Sequence, residues 1–356
     1  MAYKKKIGIC ILIALTLLAA FRIYSRRLSD NIGAVPVYAV GAVSTNTQGR
    51  NSTVLFFDEN LDLIDKKEMN IGSLSSEYSV PFRNEERVYI PTTGEVKNDD
   101  IIMVDIETKS GDVKYYKDPK EIGVIDTLFQ SGDKMYYTSN INSGCSLREM
   151  NFNGGEEKSA DIMNTLIGNG GRLGEELFLI AHSTPADGGP AKDGTTIVFY
   201  NDNLEKQREF YTDKFVHRGP SIVHNDKVYF MSSNAEEEDK RIFSVDSQGN
   251  FEEIPLNCWV YRIESTPEGL LAAGGDEKSG SFILIKKDGE QIHYGMKEES
   301  LLQMKWQGEF LYTLDRVEEG DKSILRKYEL EKNEMKLVQE KEIEFNAPKE
   351  IIRSIF

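Results

Sequence analysis

Four histidines and three cysteines stand in this 356-residue chain, and their spacing limits the chemistry they can do. His182, His217, His224 and His293 show neither an H-x-H nor an H-E-x-x-H pattern, so they do not predict a shared metal. Cys145 and Cys258 fall in well-separated units and read as buried thiols with no disulfide between them. Cys10 lies inside an apolar run, whereas a lipid-bearing cysteine would follow one. No serine sits in a Gly-x-Ser-x-Gly elbow, and no glycine-rich phosphate loop follows a strand. Asp58, Asp202 and Asp246 have calcium-ligand chemistry, but each stands at a turn, where closing a hairpin explains it. Neither a metal nor a cofactor is expected.

Cations are the second candidate. Arg83, Arg172, Arg218, Arg262, Lys305 and Arg353 lie on or beside six recurring segments that each precede a turn. Their setting is acidic: residues 1–27 hold six of the 43 basic side chains and no acid, leaving 37 basic against 59 acidic in residues 28–356, a difference of −22. Cations converging in such a body would attract an anion. Counted back from the next apolar start, Arg218, Arg262 and Lys305 share one parity and Arg83 and Arg172 the other, so only some of them are expected to face one place. Alongside them, His217, Arg218, Trp259, Tyr261, Arg262 and Trp306 are the candidate ligand-binding residues, because aromatic and arginine side chains dominate binding energy when desolvated. The competing role for the cations is ion pairing, and for Trp259 and Trp306 it is packing between sheets.

The elements that carry these residues repeat. A turn of Gly, Asn or Pro beside an acid, followed by an apolar and aromatic run, recurs as Gly132-Asp133-Lys134-Met135-Tyr136-Tyr137, Asn225-Asp226-Lys227-Val228-Tyr229-Phe230 and Gly308-Glu309-Phe310-Leu311-Tyr312-Thr313. With the related run from Val37, the first apolar positions are 37, 88, 135, 177, 228, 270 and 311, which makes seven units. Each unit continues through a second run and a tight turn, such as Val245-Asp246-Ser247-Gln248-Gly249, into a third strand such as Gln207-Arg208-Glu209-Phe210-Tyr211. Adding the strand before each first turn gives four short strands per unit, which is a propeller blade. The first unit begins at its second strand, expected over Val35 to Ala42, and residues 350–356 form an inner strand with no blade after it. The two ends are therefore expected to share one blade. An open sandwich of hairpins is the alternative.

On its aromatic second strands and its Val-Asp-x-x-x-Gly type turn, the chain from about Val35 to Phe356 resembles the YVTN and quinoprotein-like β-propellers. The resemblance implies a fold only. Its two tryptophans lie on or near inner strands and sialidase boxes are absent, so neither a quinone cofactor nor sialic-acid chemistry is implied.

The fold expected is thus all-β, a seven-bladed β-propeller of four-stranded antiparallel blades closed by the C-terminal strand and preceded by one N-terminal transmembrane helix. Residues 1–6 read as a short basic cytoplasmic tail, 7–24 as a single-pass signal-anchor, 25–34 as a linker and 35–356 as the propeller. Ile7 to Phe21 carry no charge, and an A-x-A cleavage pattern does not follow them, which favours an anchor over a cleaved signal. The body is placed outside the cell membrane, on the extracytoplasmic side, because long domains translocate largely regardless of charge. Net charge −16 excludes a nucleic-acid binder. Three functions compete. One is a non-enzymatic scaffold of the cell envelope that binds a protein or envelope polymer through the variable loops, such as residues 183–195, 236–239 and 316–322. Another is a propeller hydrolase or lactonase with an axial metal site, and the third is a purely structural part of an oligomeric complex.

Overall fold

The computed structural model describes residues 35, 37–46, 51–76, 79–92, 101–117, 125–141, 144–150, 158–163, 165–183, 194–214, 221–231, 240–275, 280–295, 301–316, 322–331, 334–344 and 350–356. Their strands form seven antiparallel sheets of four strands each, numbered in chain order as blades 1 to 7 from the sheet that holds Val40–Asn46 to the one that holds Leu301–Gln307. The protein is an all-β, seven-bladed propeller, as its repeats predict. The expected anchor at 7–24 and the linker at 25–34 lie outside the described residues, and among those described no helix is long and apolar enough to cross a membrane.

Each middle strand is apolar on consecutive residues because both of its faces are covered. In blade 4, Leu177, Leu179 and Ala181 pack toward blade 3, while Phe178 and Ile180 pack toward blade 5. Alternation therefore sorts side chains between two neighbours instead of between core and water. The buried apolar residues accordingly fall into seven clusters, one at each seam between consecutive blades. The seam between blades 7 and 1 joins Tyr312, Leu314 and Leu325 to Val40, Ala42, Leu55 and Phe57, which completes the circle.

Closure is made as expected by the C-terminal strand. Glu350–Ile355 pairs antiparallel with Val40–Asn46, and Ser52–Phe57 and Leu63–Met69 complete the sheet. Gly41 and Phe356 exchange two backbone hydrogen bonds of 3.0 Å. Gly41 is needed there: a Cβ on it would lie 2.1 Å from the Phe356 ring. The first strand begins at Val40 and not at Val35. Val35 is buried and apolar, but its amide donates to the Thr108 carbonyl of blade 2 at 2.7 Å, and Tyr38 lies beneath the Arg83 guanidinium of blade 2 at 4.2 Å. Those apolar residues serve the seam to the next blade and not the ladder of their own.

The outer hairpin turns share one device. Asp58 Oδ1 accepts from the amides of Asn60 and Asp62, and Asp246 Oδ1 from those of Gln248 and Asn250, all at 2.8 to 2.9 Å. In blade 4 this role belongs to Asn201 and not to Asp202, since Asn201 Oδ1 accepts from Asn203 and Glu205. These aspartates close turns. Gly249 ends its turn at φ 84°, with the Phe210 ring of blade 4 packed where a side chain would stand.

Candidate axial binding pocket

The inner strands meet the axis along their edges, and five of them carry one extra residue. Register shifts fall at Asp126, Gly168, Tyr261, Leu302 and Arg353. In blades 3, 4, 6 and 7 the extra residue stands at the same distance before the first turn, at Gly132, Gly174, Pro267 and Gly308 respectively. A bulge adds local twist, which bends the strand where the blades crowd the axis.

Between these bulges and the turns lies an axial pocket of about 360 Å³, lined by residues from all seven inner strands. Thr127, Gln130, Asn169, Arg172, Ser221, Arg262, Glu264, Gln303 and Lys305 supply its polar and charged groups. Polar contacts tie these strands together around the axis. Thr127 donates to Asn169 at 3.3 Å, Arg172 reaches Ser131, and His224 Nδ1 lies 2.9 Å from Ser265 Oγ. Arg262 Nε donates to the Leu302 carbonyl at 2.5 Å, and Gln303 accepts from the Ile355 amide at 2.8 Å.

Arg172, Arg262 and Lys305 line the pocket together, although Arg172 has the opposite parity. Parity separates the two faces of a blade, but the axis is met by a strand edge, so long side chains from either face bend over it. Arg83 does not join them. Its guanidinium stacks on Tyr38, and its Nη1 is buried without a hydrogen-bond partner among the described residues. Burial raises the Tyr38 hydroxyl to about 12, with Arg83 opposing the shift.

Glu264 is the carboxylate of the pocket and was not among the candidates. It is 7% exposed, and Lys305 Nζ lies 3.5 Å from it. Burial raises its pKa, opposed by Lys305 and by a hydrogen bond from the Trp306 backbone. A glutamate embedded among Ile263, Ser265 and apolar neighbours, three residues before a turn as Lys305 is, was the available signal. Because the folded-state value lies above the ordinary 4.5, the folded protein holds this proton more tightly than the unfolded chain. Stability therefore falls as pH rises from about 4.5 to the folded-state value, and above that the cost is constant. Glu264→Gln is expected to remove this fall; melting curves of both proteins from pH 4 to 8 that stay parallel would refute it.

Of the six candidate binding residues, the four described ones, Trp259, Tyr261, Arg262 and Trp306, do not gather at one end. Arg262 is buried in the pocket wall. Trp259 begins the same inner strand at the loop-bearing end, with Lys240 Nζ 5.8 Å from its ring and its buried Nε1 lacking a partner among the described residues. Tyr261 packs into the seam between blades 6 and 7. Trp306 packs in that seam at the opposite, short-turn end, where its Nε1 donates to the Gly308 carbonyl at 3.0 Å. His217 and Arg218 lie outside the described residues, as do residues 184–193, 232–239 and 317–321 of the variable loops.

The remaining chemistry is dispersed. His182 is buried near Thr195 at 3.3 Å, and His224 is held below its usual range by burial. Among the described residues no three His, Cys, Asp or Glu are grouped to hold a metal. Cys145 and Cys258 are buried thiols outside any disulfide, the former pushed up to about 11 by burial.

This geometry defines the protein's class as a closed seven-bladed propeller with an axial pocket. No protein-family model matches the chain, and no curated protein does. Solved structures do. A candidate 6-phosphogluconolactonase from Bacteroides fragilis aligns over 88% of this chain and 96% of its own, with TM-score 0.60 and 12% identity. Apo AztD from Citrobacter koseri aligns over 88% and 84%, with TM-score 0.54 and 8% identity. The propeller domain of the Trilobed protease from Pyrococcus furiosus, described as an open velcro, aligns over 78% and 99%, with TM-score 0.50 and 15% identity. The likeness to these β-propellers is one of fold.

Proposed function

We propose that this protein is a membrane-tethered binding propeller of the cell envelope that catalyses no reaction itself. Residues 7–24 anchor it, the propeller lies on the extracytoplasmic side, and a protein or envelope polymer engages the loop-bearing face. The axial pocket receives an anionic group of the ligand. One observation carries this reading: Arg172, Arg262 and Lys305 converge on a pocket whose carboxylate is Glu264, within a body whose charge difference is −22. An anion placed there meets local charge opposite to that of the whole surface, and low-dielectric walls strengthen the attraction.

The test uses the full chain in detergent and calorimetric titration with citrate, succinate and inorganic phosphate. At least one should bind, with Arg172→Gln and Lys305→Gln each weakening it about five-fold or more, and the loss larger at low salt. No binding by any of the three, or unchanged binding in both variants, removes the pocket from the function. A chain lacking residues 1–27 should remain soluble and bind equally; aggregation would make that segment part of the fold. The hydrolase alternative asks instead for lactone hydrolysis that depends on an added divalent ion.

A further inference from the structure

The three cations of the axial pocket differ in what they have left to offer a ligand. Arg262 is buried and already donates from Nε to the Leu302 carbonyl and from Nη1 to the Tyr261 carbonyl. Arg172 donates from Nε to the Gly174 carbonyl and from Nη1 to Ser131. Lys305 is the most accessible of the three, with its side chain 46% exposed, and its one partner among the described residues is Glu264, at 3.5 Å. An anion entering the pocket therefore competes with Glu264 for Lys305.

Glu264 has little else to hold its charge. It is buried, and besides Lys305 it accepts a hydrogen bond from the Trp306 backbone. The other titratable groups around it are Arg262 on its own strand, Arg172 on the inner strand of blade 4, and His224 on that of blade 5, whose Nδ1 lies 2.9 Å from the Ser265 hydroxyl. Among the described residues, blades 1, 2 and 3 line the pocket with no titratable side chain. An anion that draws Lys305 to itself leaves the buried carboxylate without its ion pair and sets a second negative charge beside it. Like charges crowded into a low-dielectric site do not both stay ionised, and one of them takes up a proton. Burial already holds Glu264 above the usual carboxylate range, which makes it the group that does so.

We propose that the axial pocket takes up its anion together with one proton, which Glu264 holds. It rests on the axial anion site proposed above. The proton comes from solvent and settles on a Glu264 carboxylate oxygen, whose new O–H is a donor where the ionised group only accepted. Glu264 thereby turns from a competitor for Lys305 into a donor to the anion, and it sets the pH range in which the pocket fills.

Calorimetric titration of the full chain in detergent, from pH 5 to 8 in pairs of buffers that differ in ionisation enthalpy, counts the protons. Succinate is the probe, with sulfate as a second anion that has no titrating group of its own in this range. Binding should bring up to one proton per anion, so that affinity rises as pH falls, by as much as about ten-fold per pH unit. Glu264→Gln, the blank for any proton the probe itself takes up, should lose that proton, show affinity flat with pH for sulfate, and bind about five-fold or more tightly than the natural protein at pH 8. His224→Gln should keep the uptake. Should Glu264→Gln not fold, Lys305→Gln decides: without the ammonium Glu264 keeps its proton to higher pH, so the uptake maximum moves up, and an unmoved maximum overturns the coupling. Anion binding without proton uptake overturns the coupling and leaves the anion site standing. Uptake that persists in Glu264→Gln, or is lost in His224→Gln, assigns the proton to another group and also overturns it. If no anion binds, the axial site falls and the coupling with it.

Discussion

Deleting residues 349–356 is expected to collapse the cooperative stability of the whole ring. The deletion removes Ile352, Ile355 and Phe356, each 2% exposed, and such side chains contribute roughly 1.5 to 3 kcal/mol apiece when fully buried. It also removes the ladder on Val40–Asn46 and leaves that strand as an inner sheet edge. The apolar part alone is comparable to the net stability of about 5 to 15 kcal/mol typical of a folded protein. Calorimetry should show a melting transition lowered by at least about 10 °C or lost. A synthetic peptide of residues 345–356 added in trans should restore part of it by strand addition. An unchanged transition in the truncated chain would mean that the ring does not depend on this strand.

Arg326→Ala should be the most damaging single substitution in blade 7. Arg326 is 1% exposed; its Nη1 donates to Asp315 and its Nε to Glu340, both at 2.7 Å. Asp315 is itself buried and also accepts from Thr313 at 3.1 Å. Removing the guanidinium leaves a desolvated carboxylate with its principal charge partner gone, a change that costs about 3 to 5 kcal/mol. The double variant Arg326→Met, Asp315→Leu removes both charges and should recover most of that loss, because the penalty lies in the unpaired charge. Urea unfolding of the three proteins measures this directly. If the double variant is no more stable than Arg326→Ala, the cost comes from lost packing and not from charge.

Blade number, strand order and closure were legible because each rests on a local pattern that repeats: a turn whose backbone demands Gly, Asn or Asp, then a run apolar on both faces. Strand limits were less so. Val35 and Tyr38 continue the apolar run of the first strand, yet they bond and stack against blade 2, a partner no local pattern reveals. Similarly, Asp202 and Asn201 are chemically interchangeable at a turn, and only the observed hydrogen bonds show that Asn201 holds it. The axial pocket was half visible. Arg262 and Lys305 stood out as cations before turns, but Glu264 and Gln303 belong to no repeat, and parity wrongly set Arg172 apart because a strand edge is open to both of its faces.

The pairing of Ala42 with Ile355 also orders events in time. During synthesis the first three strands of blade 1 emerge early, and their fourth arrives about 300 residues later, so the sequence separation of this contact is near the largest the chain permits. Until then Val40–Asn46 exposes an unpaired edge, and blades 2 to 7 can form only an open arc. Closing cannot precede the emergence of residues 350–355, and until it occurs a newly made chain is open to proteases and to strand exchange with its neighbours. Opening is governed by the same ladder, together with the contacts across the adjoining seam from Lys327 to the Glu59 carbonyl and from Lys341 to Asp62.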